Sequence, residues 1–281
     1  MPGAQPLGIV AGRGDLPRLL AEECRRTGRD YVVVLFAGQN PDWAADHPTQ
    51  AAEFEKPARL FKALKKQGVE CVSFAGGMDR PDLKPLKFDW KLIKLAPSLM
   101  PALKQGDDAT LRMITQIFER EGFKIEAAHD VLTSLLAPAG VLTQAKISKS
   151  DWADIRRGFE LAEGLGRLDV GQGAVVAGGI CLGLESIQGT DAMLKFVADT
   201  REGLRQKRPA GVLCKCPKPG QDWRVDLPAI GPDTVKAAAE AGLAGVAVRT
   251  GGVLILGLEE TIAVANDLGL FLIGVAGGEA P

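Results

Sequence analysis

Short apolar runs alternate with amphipathic stretches along most of this chain. Leu7-Gly8-Ile9-Val10-Ala11 is a continuous apolar run ending at Gly12 and Gly14, and Leu16, Leu19, Leu20 and Cys24 then recur with helical period. This predicts strand, turn and helix. Tyr31 to Phe36 predicts a second strand, followed by a loop at Asn40-Pro41-Asp42, a helix around Pro57 to Gln67 and a third strand at Cys71 to Ala75. Strands alternating with helices imply right-handed crossovers and a parallel sheet. Leu111, Ile114, Ile117 and Phe118 mark a further amphipathic helix opened by Gly106-Asp107-Asp108, where either aspartate is placed to cap the free N–H groups.

From Leu135 the pattern changes. Leu136-Ala137-Pro138-Ala139-Gly140 and the polar stretch Thr143 to Ser150 interrupt the periodicity, which resumes near Trp152. Residues 135–150 are therefore expected to link an N-terminal domain, 1–134, to a C-terminal α/β domain, 151–281. The second half predicts a helix from Asp151 to Gly164, a strand at Ala174 to Ala177, a helix opening near Thr190-Asp191 and a strand at Gly211 to Lys215. A charged loop, a helix from Pro232 to Ala241 and strands at Gly245 to Val248 and Gly252 to Leu256 complete it. The expected fold class is α/β, with two α/β domains of similar size, the N-terminal one Rossmann-like around a parallel sheet.

Composition narrows the classes. Hydrophobic residues are 46% and charged residues 25% of 281, ordinary for a globular chain. The 34 Lys plus Arg against 35 Asp plus Glu leave a formal net charge of −1, which argues against wholesale nucleic-acid binding. With aromatics at 5%, core volume is expected mainly from Ala, Val, Leu and Ile. Five cysteines at irregular spacing, behind an N-terminus without a basic segment and apolar stretch, lead us to expect reduced thiols and a cytoplasmic chain. The longest uncharged stretch, Val170 to Leu184, falls short of the ~20 apolar residues of a spanning helix. A peripheral membrane contact is left open.

Elimination guides the chemistry. The chain lacks a P-loop, a G-x-S-x-G elbow, a paired C-x-x-C and an H-E-x-x-H. Its two histidines, His47 before Pro48 and His129 beside Asp130, read as surface or structural groups. Cys214-Lys215-Cys216 has the wrong spacing for a zinc knuckle and is expected to lie on a strand with one thiol on each face. Gly8, Gly12 and Gly14 allow two readings: turn glycines needed for strand-to-helix packing, or a cradle for a phosphate at the following helix N-terminus. Gly77, in Gly76-Gly77-Met78-Asp79-Arg80 after the third strand, is a similar case. The spacing G-x-x-x-G-x-G, with no acidic residue ending the second strand, disfavours a nicotinamide cofactor.

The densest constellation runs from Lys215 to Pro228. It offers three cations (Lys215, Lys218, Arg224), two carboxylates (Asp222, Asp226) and the amide of Gln221, stiffened by prolines and Gly220. Cations neutralise phosphoryl oxygens, and carboxylates hold a hard divalent ion such as Mg2+, so the set suits phosphoryl or pyrophosphate chemistry. A solvated turn-forming loop is the plainer alternative. A second candidate is Gln188-Gly189-Thr190-Asp191-Ala192, where Thr190 or Asp191 is a natural N-cap, Asp191 has a carboxylate for a metal and the Gly189 and Thr190 amides suit a phosphate.

These segments also carry a resemblance. Gly8-Ile9-Val10-Ala11-Gly12-Arg13-Gly14-Asp15-Leu16-Pro17, Gly106-Asp107-Asp108, Leu136 to Thr143, Gly189-Thr190-Asp191-Ala192 and above all Lys218 to Gly231 resemble, in order, the LpxI type of UDP-2,3-diacylglucosamine pyrophosphatase. The resemblance implies a bacterial enzyme of lipid A biosynthesis that hydrolyses UDP-2,3-diacylglucosamine to 2,3-diacylglucosamine 1-phosphate (lipid X) and UMP, with Mg2+ as cofactor. It implies two α/β domains with the substrate held between them. The family's R-x-D-x-P aspartate maps onto Asp226 and the acidic residue of its G-T-D turn onto Asp191, while Gln188 stands where an acidic residue is expected. On this reading Asp226, with Asp191 or Asp222, binds Mg2+, and Lys215, Lys218 and Arg224 offset diphosphate charge. Gly12, Gly14, Gly77, Gly189, Thr190 and Gln221 are the expected substrate contacts. The expected partners are the lipid substrate and product, with contact at the inner-membrane face and a homodimer both left open. A non-catalytic nucleotide-sugar or lipid-phosphate binding protein is the alternative, and a sugar-nucleotide transferase is a third.

Overall fold

The computed structural model describes residues 4–78, 83–103, 107–200 and 210–277, without the side chains of residues 98, 102, 103 and 107–109. The chain divides into two compact units, 1–133 with 222–226, and 134–221 with 227–281.

Unit 1 is built as the hydrophobic pattern predicts, with additions. β1 (Leu7–Ala11), α1 (Leu16–Thr27), β2 (Tyr31–Phe36), β3 (Thr49–Ala52), α2 (Pro57–Lys66) and β4 (Cys71–Ala75) are followed by α3 (Trp90–Leu103), α4 (Asp107–Arg120), β5 (Lys124–Ile125) and the short α5 (Ala128–Val131). Among the described residues the strands form one parallel sheet in the order β3-β2-β1-β4-β5, with β1 fully buried between β2 and β4. That order reverses direction between β1 and β4, the switch point at which open α/β sheets place ligands. Neither β3 nor α3 is foreseen by the sequence pattern, and the capping residues expected at Asp107 and Asp108 have side chains outside the described residues.

The scarcity of aromatic residues hides their placement. Phe36, Phe61, Phe118 and Phe123 are buried in one cluster of unit 1, and Phe54, Phe74 and Phe88 pack against it. Phe61 and Phe118 meet edge-to-face at 5.0 Å, a geometry that adds about 0.5–1.5 kcal/mol to the burial of their area. The buried core as a whole is dominated by Ala, Val, Leu and Ile, as expected, and the few aromatic rings are concentrated in unit 1.

An ion pair ties the start of unit 1 to the end of its sheet. Arg29 donates through Nη1 to Glu126 Oε1 at 2.7 Å and through Nη2 to Oε2 at 2.8 Å, with both side chains largely buried. These bonds hold the Glu126 carboxyl below the ordinary carboxylate range, against the upward push of burial. A carboxylate depressed in the folded state contributes stability above its unfolded pKa and loses it as pH falls through the folded pKa. Glu126→Gln is therefore expected to lower stability by about 1.5–3 kcal/mol at pH 7 and to flatten the decline below about pH 4.5, as read by urea denaturation from pH 7 to 3.

Unit 2 contains β6 (Gly140–Val141), α6 (Lys149–Arg167), β7 (Gly173–Ala177), β8 (Ile180–Leu184), α7 (Gly189–Ala198), β9 (Val212–Lys215), β10 (Ala229–Ile230), α8 (Pro232–Glu240), β11 (Gly245–Arg249), β12 (Leu254–Ile255), α9 (Leu258–Asp267) and β13 (Phe271–Val275). The main sheet runs β6-β13-β11-β9-β7-β8; β13, β11 and β9 are parallel, whereas β6, β7 and β8 join antiparallel. Residues 135–150, expected as a linker, pack into this unit: β6 pairs with β13, and the Ala137 N–H donates to the Val253 carbonyl at 2.9 Å. Ser148 and Asp151 form a reciprocal capping box, which starts α6 at Lys149 rather than Asp151.

The stretch Val170 to Leu184 is a hairpin of β7 and β8, and its Gly178-Gly179 turn donates both N–H groups to the buried Asp154 carboxylate of α6. Side chains alternate across β9. Val212 and Cys214 face the α6 side, Leu213 faces α7 and α8, and Lys215 follows on that second face. Cys214 and Cys216 lie in the same cluster, which corrects the expectation of one thiol on each face: residues two apart on a strand share a side. Burial pushes the Cys216 thiol up to about 12 and Cys214 higher still, so both are inert packing groups.

Candidate active site

Lys215 closes β9 as a cation with only 3% of its surface exposed. Its ammonium donates to Thr190 Oγ1 at 2.7 Å and to the Ala229 carbonyl at 3.4 Å, and lies 3.5 Å from Glu185 Oε1. The Thr190 hydroxyl in turn donates to Glu185 Oε1 at 2.8 Å, so one hydroxyl bridges cation and carboxylate. Three elements supply this triad: the end of β9, the residue after β8 and the first turn of α7. Thr190 is therefore not the expected N-cap. Gln188 occupies that position without a side-chain cap bond, and Thr190 and Asp191 sit inside the helix, with Asp191 exposed.

Glu185 was not among the residues the sequence singled out. It is 7% exposed, and its Oε2 is buried without a hydrogen-bond partner. A Cβ at Gly173 would collide with Oε2, so glycine there is what admits the carboxylate. A buried acceptor left unmade costs about 1–3 kcal/mol, and natural chains tolerate such groups where chemistry needs them. The sequence does carry a signal: Glu185 is the only charged residue between Asp169 and Asp191.

The following loop is fixed by its own side chains. Lys218 N–H donates to Gln221 Oε1 at 3.0 Å, Gln221 N–H donates to the Lys218 carbonyl at 3.3 Å, and Lys218 Nζ pairs with Asp169 at 2.9 Å. Gln221 is buried and acts here as a loop brace. Residues 222–226 belong to unit 1. The Val225 and Asp226 N–H groups both donate to the Asp222 carbonyl, making a turn with Asp226 half-buried. Arg224 donates to Asp222 through Nε at 2.9 Å and Nη2 at 2.7 Å, and to Glu119 Oε1 of α4 at 2.7 Å. The guanidinium holds the Asp222 carboxyl below the usual range and is itself pushed up by its two carboxylate partners. Arg224 and Asp222 thus neutralise one another.

The glycines split by role. The Gly12 N–H donates to the Ala75 carbonyl at 2.7 Å and the Gly77 N–H to the Arg13 carbonyl at 3.2 Å, so both amides are committed to joining the loops after β1 and β4. A Cβ at Gly12 would lie 2.6 Å from the Gly76 carbonyl oxygen. This is the packing reading of Gly12 and Gly77. Gly14 has φ +86° with open space where a Cβ would stand, and the Gly189 N–H is donated to the Ser186 carbonyl at 2.9 Å. Asp79 and Arg80 lie outside the described residues.

Asp226 and Asp191, expected to share a metal, fall in unit 1 and unit 2 respectively. Among the described residues no three His, Cys, Asp or Glu side chains group as a metal site. Mg2+ does not require such a cage, since it keeps waters and uses one or two carboxylates with substrate phosphates. The half-buried Asp226 fits that donor chemistry.

Fold and site together define a two-domain α/β protein with a buried lysine–glutamate–threonine cluster at the strand ends of its second domain. Residues 6–135 match the family model described as the LpxI N-terminal domain and residues 138–273 the LpxI C-terminal domain. The chain belongs to the LpxI family. It is 44% identical over 280 residues, 98% of this chain and 99% of the other, to a Caulobacter vibrioides protein named UDP-2,3-diacylglucosamine pyrophosphatase LpxI. Among solved structures it is similar to a CobK precorrin-6A reductase at 13% identity and a TM-score of 0.33, covering 99% of this chain and 90% of that one, a likeness that carries no argument.

Proposed function

We propose that this chain hydrolyses the diphosphate of UDP-2,3-diacylglucosamine, giving 2,3-diacylglucosamine 1-phosphate (lipid X) and UMP, with Mg2+ as cofactor. The observation that carries this reading is 44% identity along nearly the whole length of a protein named for that activity. The buried Lys215–Glu185–Thr190 cluster supports it. Lys215 is held by fixed partners on rigid elements, so its charge is in place before substrate arrives and costs no reorganisation as phosphoryl charge develops. Lys218, more exposed and on a braced loop, adds a second cation. Mg2+, when bound, supplies charge neutralisation on the diphosphate, and Asp226 is the residue proposed to hold it, with Asp191 as the second carboxylate assigned by resemblance. Asp226 also accepts the proton of the attacking water, since neither histidine falls in this segment.

Purified protein is expected to release UMP from UDP-2,3-diacylglucosamine in Mg2+, to stop in excess EDTA and to resume when Mg2+ is restored. Turnover unaffected by EDTA would remove the metal from the proposal. Ligand binding with an intact diphosphate would replace the hydrolase reading by a binding protein.

A further inference from the structure

Among the described residues α3 presents two apolar stripes, one buried and the other exposed. Leu92 and Leu99 are buried in the core of unit 1, while Trp90, Ile93, Pro97 and Met100 recur at helical spacing on the outside. Trp90 and Ile93 are each 60% exposed, and Leu86, on the short 3-10 turn just before the helix, is fully exposed. Large side chains stand clustered in water here, where scattered single residues would be ordinary.

Charge distinguishes this stripe from a plain apolar patch. Residues 84–100 contain Lys84, Lys87, Lys91 and Lys94 against Asp89 alone, 4 − 1 = +3, in a chain whose formal net charge is −1. Asp89 is turned inward, accepting N–H groups from Leu92 at 2.8 Å and Ala58 at 2.7 Å. Lys91 pairs with Glu121, which leaves Lys84, Lys87 and Lys94 as the exposed cations beside the stripe. Lys94 Nζ sits 5.0 Å from the Trp90 ring centre. Indole and aliphatic groups flanked by lysines form the amphipathic pattern of elements that lie in a bilayer interface, with apolar groups at the acyl boundary and ammonium groups among the headgroups.

We infer that the segment Lys84–Met100 docks this protein on an anionic lipid surface, with Leu86, Trp90, Ile93 and Met100 entering the interface and Lys84, Lys87 and Lys94 meeting the headgroups. The three exposed lysines on an otherwise near-neutral chain favour anionic lipid over a second copy of the same surface, which would bring like charges together. The inference goes beyond the hydrolytic reading and stands without it, because binding is measured with no substrate present.

The test is co-sedimentation with vesicles of phosphatidylglycerol and phosphatidylethanolamine, and with phosphatidylcholine alone. Wild type is expected to partition onto the anionic vesicles and to be released by salt, since these contacts are exposed to screening. Each lysine removed near such a surface lowers partitioning about fivefold, so Lys87→Gln with Lys94→Gln is expected to lose about 25-fold. Trp90→Ser with Ile93→Ser, both at exposed positions, is expected to lose about tenfold or more. UMP release from micellar substrate by either variant stays at the wild-type rate. No anionic preference, or variants that partition as wild type does, would overturn the docking surface. So would self-association abolished by Trp90→Ser and Ile93→Ser without vesicle binding.

Discussion

Asp226→Ala is expected to lower kcat for UMP release by about 10²–10⁴-fold, the range for loss of a positioned acid–base group. Asp226 ends a tight turn whose N–H groups close on the Asp222 carbonyl, so its backbone is fixed and its side chain is half-buried. Its neighbour supplies the control. Asp222 is already neutralised by Arg224, and Asp222→Ala removes an ion pair from a partly exposed loop, so its effect on kcat is expected to be much smaller. Asp226→Asn keeps the shape and loses the charge, and is expected to fall with the alanine variant. Steady-state kinetics on the three variants, with circular dichroism to confirm folding, reads the difference. A folded Asp226→Ala enzyme turning over near the wild-type rate would remove Asp226 from the mechanism. Equal losses at Asp222 and Asp226 would point instead to disruption of the whole turn.

Most of the parallel framework was legible because its strands are uninterrupted apolar runs between amphipathic helices, as in β1, β2 and β4. The omissions have separate physical origins. β3 is Thr49-Gln50-Ala51-Ala52, an edge strand with no hydrophobic run, and it exists through backbone pairing to β2. α3 carries Pro97 and Pro101, which argue against a helix because proline lacks the N–H and crowds the preceding turn. β8 is hidden in a long glycine-rich uncharged stretch whose folding back depends on Asp154, distant in sequence. β13 is different: Phe271–Val275 is as apolar as β11, and its strand character was there to read. Of the proposed site residues, Lys215, Lys218, Asp222, Arg224 and Asp226 stand out in the sequence through their density, yet density does not reveal that Arg224 is paired with Asp222 and Glu119. Glu185 was missed because a lone acid after an apolar run carries no motif. Its role comes from the meeting of β8, β9 and α7, which no local window contains.

That meeting gives the second large effect. Lys215→Met is expected to destabilise the protein by about 3–5 kcal/mol, because it leaves the Glu185 carboxylate buried with the Thr190 hydroxyl as its remaining hydrogen-bond partner. The double variant Lys215→Met with Glu185→Gln removes both charges at nearly constant volume and is expected to recover most of that loss, giving a large coupling energy in a double-mutant cycle. Hydrolysis is expected to behave differently. If the Lys215 ammonium offsets charge on the diphosphate, a neutral pair restores the fold and not the field, so kcat of the double variant stays down by about 10²–10³-fold. Glu185→Gln alone keeps the cation and the Thr190 contact but loosens the hold on Lys215, and is expected to fall between these limits. Urea denaturation and steady-state kinetics on the four proteins separate the two roles. A double variant that regains both stability and turnover would make the cluster a structural ion pair only. A Lys215→Met protein as stable as wild type would mean that the buried pair contributes nothing to the fold.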